Sequence, residues 1–318
     1  MAAHAATATA ATATRIAPAP TRRAVRSTSP HLLLVANANS SGLSAHPELI
    51  DGALALLRLS GGRPELRKTR SLDELAAAVA DERRVVLMGG DGSLHAAANL
   101  AGPKPELALI PAGKANNVAR SLGIPTDIEA AARLAVTGAA RPVDAIAAVS
   151  GDRSYLAVEG VSVGFHAIAR SGYSAANSAD TLAGIKVGLG ALAHFGPLTL
   201  AVERDGALEV LRTAQLFAVN FPLYGPGLHV APDADAADGQ LDLVTIEASS
   251  RSELIRLLAH VRRGTHLDEP GVRHVRARRL RIATGGRSPV IADTTNLGTG
   301  TVELTVVPGA LDLVGGSA

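Results

Sequence analysis

The chain has 318 residues, 47% of them hydrophobic, enough to bury a sizeable core and to build two domains. A net charge of +2 and an aromatic content of 2% exclude a general polyanion binder and leave few stacking platforms for single-stranded nucleic acid, so no nucleic-acid partner is expected. With no cysteine there are no disulfides, thiolate metal sites or thiol nucleophiles; catalysis must use oxygen or imidazole groups, and a reducing, cytoplasmic setting fits.

Residues 1–30 are Ala, Thr, Pro and Arg with no acidic residue, a composition that predicts a disordered tail. Alternating α/β structure starts at His31. Leu32–Ala36 is a buried strand that ends in the polar turn Asn37–Gly42, and residues 47–59 are helical in period. A second strand, Pro64–Thr69, leads through a Ser71/Glu74 capping box into a helix that ends at Ala80. The third strand ends at Met88 and breaks into Gly89-Gly90-Asp91-Gly92-Ser93-Leu94-His95. Its glycines permit positive φ and close backbone approach, and a helix from Ser93 turns its N-terminus toward an anion. Asp91 would repel a bare phosphate, which argues for Mg²⁺ between the two. The same residues also fit a plain strand-to-helix turn with a capping carboxylate.

Leu107–Ile110 is the fourth strand, followed by a polar loop to Arg120 and by a capping box, Thr126–Glu129, that opens a helix to Val136. Strands separated by helices imply a parallel sheet, so the loops after strands one, three and four share one ligand-binding edge. Past Arg141 the segments 143–149, 155–163, 198–203, 208–220, 241–246, 276–283 and 302–307 all have strand patterns. Asp205-Gly206 is a hairpin turn, and two helices, 179–194 and 250–261, interrupt. This predicts a mainly antiparallel β-sandwich after a break near 140–145, with a cleft between the two domains. The apolar stretch from Thr181 to Val202 is cut by Lys186, His194 and Pro197, so any membrane contact is expected to be peripheral. A basic run of Arg273, Arg276, Arg278, Arg279, Arg281 and Arg287 suits either anionic head groups or a water-facing strand.

Four segments in order resemble the diacylglycerol kinase catalytic domain family, the bacterial lipid kinase branch of the NAD kinase and sphingosine kinase superfamily. They are the Asn37–Gly42 turn, Gly89-Gly90-Asp91-Gly92-Ser93, the block Gly113–Pro125, and Asn220–Gly227 followed by Ala231-Pro232-Asp233 and Asp238–Asp242. The resemblance spans about residues 31 to 315. It implies a Rossmann-like α/β nucleotide domain over 31–143, joined by a returning 308–316, and an antiparallel β-sandwich over 144–307. It implies ATP held by Asn37, Ser41, Thr69, Gly89, Gly90, Asp91, Gly92, Ser93, Leu94, His95, Gly113, Lys114, Asn116 and Asn117, with Asp91 as the Mg²⁺-ATP carboxylate. A structural Mg²⁺ would lie at Asp238 and the carbonyls of Asp235 and Gln240. Asp293 would be the general base that takes the proton of a lipid hydroxyl as it attacks the γ-phosphate.

The implied acceptor is diacylglycerol first and a sphingoid base second, at a membrane surface, with homodimerisation left open. Alternatives are an NAD kinase or a catalytically silent homologue. Departures from the family pattern are Lys114 for a hydroxyl, Asn117 for Asp, His166 for Asp, and Thr294-Thr295 for Gly-Glu, while Asp144 fits a further family carboxylate.

Overall fold

The computed structural model describes residues 30–38, 40–79, 84–100, 104–171, 190–193 and 195–315. The expected tail up to residue 29 and most of the expected helix 179–194 lie outside the described residues. Four parallel strands, β1 (His31–Asn37), β2 (Arg63–Thr69), β3 (Arg84–Gly89) and β4 (Glu106–Pro111), pair in the order β2-β1-β3-β4. The central strands are continuous apolar runs because both faces are covered. On one face α2 (Leu49–Leu59) and α6 (Ile128–Thr137) bury Ile50, Leu57, Ala131 and Ala135; on the other α3 (Leu72–Val79) and α4 (Asp91–Ala98) bury Leu75, Leu94 and Ala97. Two short helices, α1 (Ser41–Ala45) and α5 (Asn117–Ser121), follow β1 and β4.

The caps differ in detail from expectation. Ser71 Oγ accepts the Glu74 N–H at 3.1 Å, but Glu74 reaches the N–H of Arg70 rather than of Ser71. Asp127, not Thr126, caps α6, accepting from Ala130 N at 2.9 Å.

The first sheet does not stop at β4. The long strand β18 (Thr301–Val314) pairs parallel with β4, antiparallel with β5 (Ala140–Ser150), and antiparallel with β15 (Arg279–Ala283). Through β15 it carries β8 (Leu198–Arg204) and β9 (Ala207–Thr213), and β5 carries β6 (Arg153–Ala157), giving ten strands in one sheet. A six-stranded antiparallel sheet faces the later part of it: β14 (Val272–Ala277), β13 (Leu241–Ile246), β10 (Gln215–Val219), β7 (Gly160–Gly164), β16 (Val290–Ala292) and β17 (Thr295–Asn296). Ile146, Leu200, Leu216, Leu243, Leu280 and Leu304 fill the space between the layers. The small ribbon β11 (Leu223–Tyr224) and β12 (Leu228–His229) carries the Gly225–Gly227 loop. Helices α7 (Phe165–Ser171) and α8 (Arg251–Arg263) complete the order, and the Ser250 side chain caps α8 by accepting the Glu253 N–H.

Three expected strands are each two strands. The stretch 208–220 leaves the first sheet at Ala214 and enters the second, and 276–283 crosses the other way at Arg278, whose N–H is held by the Asp205 carboxylate at 3.1 Å. The stretch 155–163 breaks at Val158-Glu159, because the N–H groups there turn to the side chain of Asp293. None of the three breaks carries a Gly-Pro or Asn-Gly turn signal, so local pattern alone does not reveal them.

Candidate active site

The loop after β3 and the loop after β4 are packed main chain to main chain. A Cβ on Gly113 would stand 2.4 Å from Gly90 Cα, and one on Gly89 would stand 2.5 Å from Ser93 Oγ. These glycines therefore serve close approach, and none of Gly89, Gly90 and Gly92 has the positive φ that the sequence suggested. Helix α4 starts at Asp91, two residues earlier than expected. Asn116, at φ 48°, closes the second loop on itself, its amide bonding Gly113 N at 3.0 Å and Gly113 O at 2.9 Å. Lys114 is exposed at the tip of this loop.

Asp91 lies between the loops. Its carboxylate accepts Asn117 N at 3.1 Å and Val118 N at 3.2 Å, the first N–H groups of α5. A helical step of four places His95 on the same face of α4, while Gly92 and Ala96 share the adjoining face. That adjoining face lines a cavity of about 240 Å³ beyond the ends of β1, β2 and β3, together with Asn37, Thr69, Ser71 and Ser93. Asn37 Nδ2 donates to Ser93 Oγ at 3.1 Å, which ties β1 to α4. Ser41 contributes its main chain to α1. Leu94 points away from the cavity into the core.

On the Asp91/His95 face the chain gathers a buried polar cluster from both halves of the sequence. His95 Nε2 is 2.9 Å from Glu159 Oε1 and 3.8 Å from Asp293 Oδ2. Neither ring nitrogen of His95 has an aligned hydrogen bond among the described residues. Asn117 Nδ2 donates to Glu159 Oε2 and to Gly225 O, each at 2.7 Å. Asp293, at φ 49°, accepts the N–H groups of Val158 at 2.9 Å, Glu159 at 2.9 Å and Gly160 at 3.1 Å. Burial pulls His95 down, but Asp293, Glu159 and Asp91 outweigh it and lift it to about 9. Burial pushes Glu159 up to about 7 against the pull of His95.

The structure thus brings Asp91, His95, Asn117 and Asp293 together, and adds Glu159, which the sequence reading passed over. Its only signal is a lone carboxylate inside an apolar run, which is buried only when paired. Thr294 is exposed and Thr295 half-buried. His166 is not in the cluster: it packs on Phe217 and Tyr224 and bonds Ser162 Oγ at 2.9 Å.

The loop expected to hold a structural cation is organised by its own main chain. Asp235 accepts Ala237 N at 3.0 Å, Asp238 accepts Gln240 N at 2.8 Å, and the second Asp238 oxygen faces Arg276 Nη1 at 3.6 Å. Arg276 also reaches Asp233 O and Asp242 Oδ1. Asp144 ties this loop to β18, accepting Gly239 N at 2.7 Å and Gly309 N at 2.8 Å. Among the described residues no three His, Asp or Glu side chains are gathered so as to hold a metal ion. Of the basic run, Arg273 and Arg281 likewise pair with Glu209 and Glu303.

Comparison with known proteins agrees along the chain. Residues 31–148 match the diacylglycerol kinase catalytic domain, and residues 159–315 match the YegS C-terminal NAD kinase beta sandwich-like domain. A diacylglycerol kinase of Mycobacterium tuberculosis is 31% identical over 259 residues, covering 76% of this chain and 79% of that protein. A diacylglycerol kinase of Bacillus subtilis is 30% identical over 65% of this chain and 69% of its own length. Two solved chains from Bacillus anthracis, the second titled a diacylglycerol kinase, share the fold at TM-scores of 0.75 and 0.66 and 18% identity. They cover 93% and 90% of this chain and 98% and 97% of their own.

Proposed function

We propose, from the premise that this chain belongs to the diacylglycerol kinase catalytic domain family and is a lipid kinase, that it transfers the γ-phosphoryl group of Mg²⁺-bound ATP to the hydroxyl of diacylglycerol. The nucleotide is assigned to residues 31–143 with the returning 308–316, and the acceptor side to 144–307. One observation supports this most: a cavity lined by hydroxyls, amides and a helix start lies on one face of α4, and a carboxylate cluster drawn from both halves of the chain lies on the adjoining face. The lining of the cavity supports a nucleotide there. Gly92 is open, with no atom within 4 Å of where a Cβ would stand, and Asn37, Thr69, Ser71 and Ser93 offer hydrogen bonds along its wall.

Each oxygen of Asp91 keeps lone pairs beyond its main-chain bond, and hard oxygen donors of this kind suit Mg²⁺. Bound there, the cation would screen phosphate charge from the attacking hydroxyl. Asn117, Asn116 and Gly113 shape the facing loop, and Lys114, exposed at its tip, is assigned to phosphate. The acceptor is a membrane lipid, so the enzyme is assigned to the cytoplasmic membrane surface. Among the described residues no helix is long and apolar enough to cross a membrane.

The assay is γ-labelled ATP and Mg²⁺ with the purified chain, a panel of lipids, and NAD. Label in diacylglycerol is expected; label in NAD alone overturns the lipid assignment, and bound ATP with no labelled product means a silent homologue.

At the loop of Asp235, Asp238 and Gln240 we assign the role of the cation to Arg276 in place of a metal. Chelation by EDTA is therefore expected to move the melting temperature of the ligand-free protein by less than about 2 °C. Arg276→Met is expected to lower it by more. A large fall on chelation would restore the metal to this loop.

A further inference from the structure

We propose that Glu159, paired with His95, takes up the proton released by the acceptor hydroxyl, and that Asp293 is the positioning residue that holds Glu159 in place. This rests on the lipid kinase reading. In the reaction the hydroxyl oxygen forms a bond to the γ-phosphorus while the bond from that phosphorus to the β,γ-bridging oxygen breaks. ADP leaves with the electron pair, and the hydroxyl proton passes to a Glu159 carboxylate oxygen, from which it returns to solvent after the product departs.

Asp293 is poorly placed to take that proton. A carboxylate offers about four lone-pair sites, and three main-chain N–H groups, those of residues 158, 159 and 160, already occupy Asp293. One of those three N–H groups belongs to Glu159 itself, and the Glu159 carbonyl accepts Asn220 N at 2.9 Å, so the Glu159 main chain is fixed from two sides. The Glu159 carboxylate, by contrast, meets side chains only: Asn117 Nδ2 at 2.7 Å on Oε2, and His95 Nε2 at 2.9 Å on Oε1.

The charges around Glu159 suit the task. From α4 it is faced by Asp91 and His95, from the turn between β16 and β17 by Asp293. Tyr155 of β6 and Tyr224 of β11 are nearby, and burial pushes both hydroxyls up, so they stay neutral. A general base works best when its pKa lies near the working pH, and Glu159 is held at about 7. His95, lifted by the carboxylates around it, favours the ionised form of its partner.

The test compares wild type, Glu159→Gln, His95→Asn and Asp293→Asn, with ATP affinity measured separately by equilibrium binding. Wild-type kcat is expected to rise with pH on an acid limb near neutrality. Glu159→Gln is expected to lose roughly 10²–10⁴-fold in kcat with ATP affinity retained. His95→Asn removes the cation that favours the ionised carboxylate, so its acid limb is expected to move up by about one pH unit or more, a change that loss of packing alone does not produce. If wild type labels a lipid but Glu159→Gln keeps its rate, or the His95→Asn limb stays in place, the proton assignment is overturned while the lipid kinase reading stands. If Glu159→Gln does not fold, the His95→Asn limb decides. If wild type labels nothing, both fall together.

Discussion

Asp293→Ala is expected to destabilise the protein by roughly 3–6 kcal/mol, since it strips the acceptor from three buried main-chain N–H groups at about 1–3 kcal/mol apiece, with partial relaxation. Against a typical total of about 5–15 kcal/mol, that brings the chain close to unfolding at ordinary temperature. Asp293→Asn is expected to fall between wild type and alanine, because its carbonyl oxygen still accepts while its NH₂ group meets a donor. Urea midpoints of the three proteins measure this. An alanine variant within about 1 kcal/mol of wild type would show that the break at Val158-Glu159 closes into continuous strand without the carboxylate. Asp293 would then lose its anchoring role.

Asp91→Asn is expected to lower kcat/KM by roughly 10²–10³-fold, the range seen when one preorganised electrostatic contact to a reacting centre is removed. Two effects act in the same direction. The amide cannot offer a hard anionic oxygen to Mg²⁺, and its NH₂ faces a main-chain N–H at the start of α5, which disturbs the loop bearing Asn117. The pure capping role, also legible in the sequence, makes a different forecast. A lost cap costs about 1 kcal/mol of stability, and the rate of the molecules that remain folded is unchanged. Steady-state kinetics well below the melting point, with folded fraction checked by circular dichroism, separates the two.

Much of the first sheet was legible because its strands are buried on both faces and separated by amphipathic helices, so local pattern and final structure coincide. The glycine loop could be singled out as a short motif with local meaning, whereas Asn116, Asn117 and Asp293 stood out only through the family resemblance. What escaped was set by distant partners. Residues 155–163 look like one strand until the carboxylate of Asp293 intercepts three of their N–H groups, and nothing near Val158 announces it. The crossings at Ala214 and Arg278 are invisible for a similar reason, since a strand carries the same alternation in either sheet. Glu159 was overlooked because its partners His95 and Asn117 come from two other elements; a single acid among Leu156, Val158, Val161 and Val163 was the available clue. The Asp235–Gln240 loop reads as oxygen-rich, but Arg276, which faces Asp238, arrives from β14.

The strand Thr301–Val314 has a mechanical consequence. Because one uninterrupted backbone is laced to β15 at its start and to β4 near its end, the two halves of the molecule are not joined by a slack tether that lets them swing apart. The pairing with β5 slips register between Val307 and Leu311, where Gly309 has φ 59° and its N–H is gripped by Asp144. That notch is the one place where the plank's lacing to β5 is interrupted, and a single carboxylate holds it.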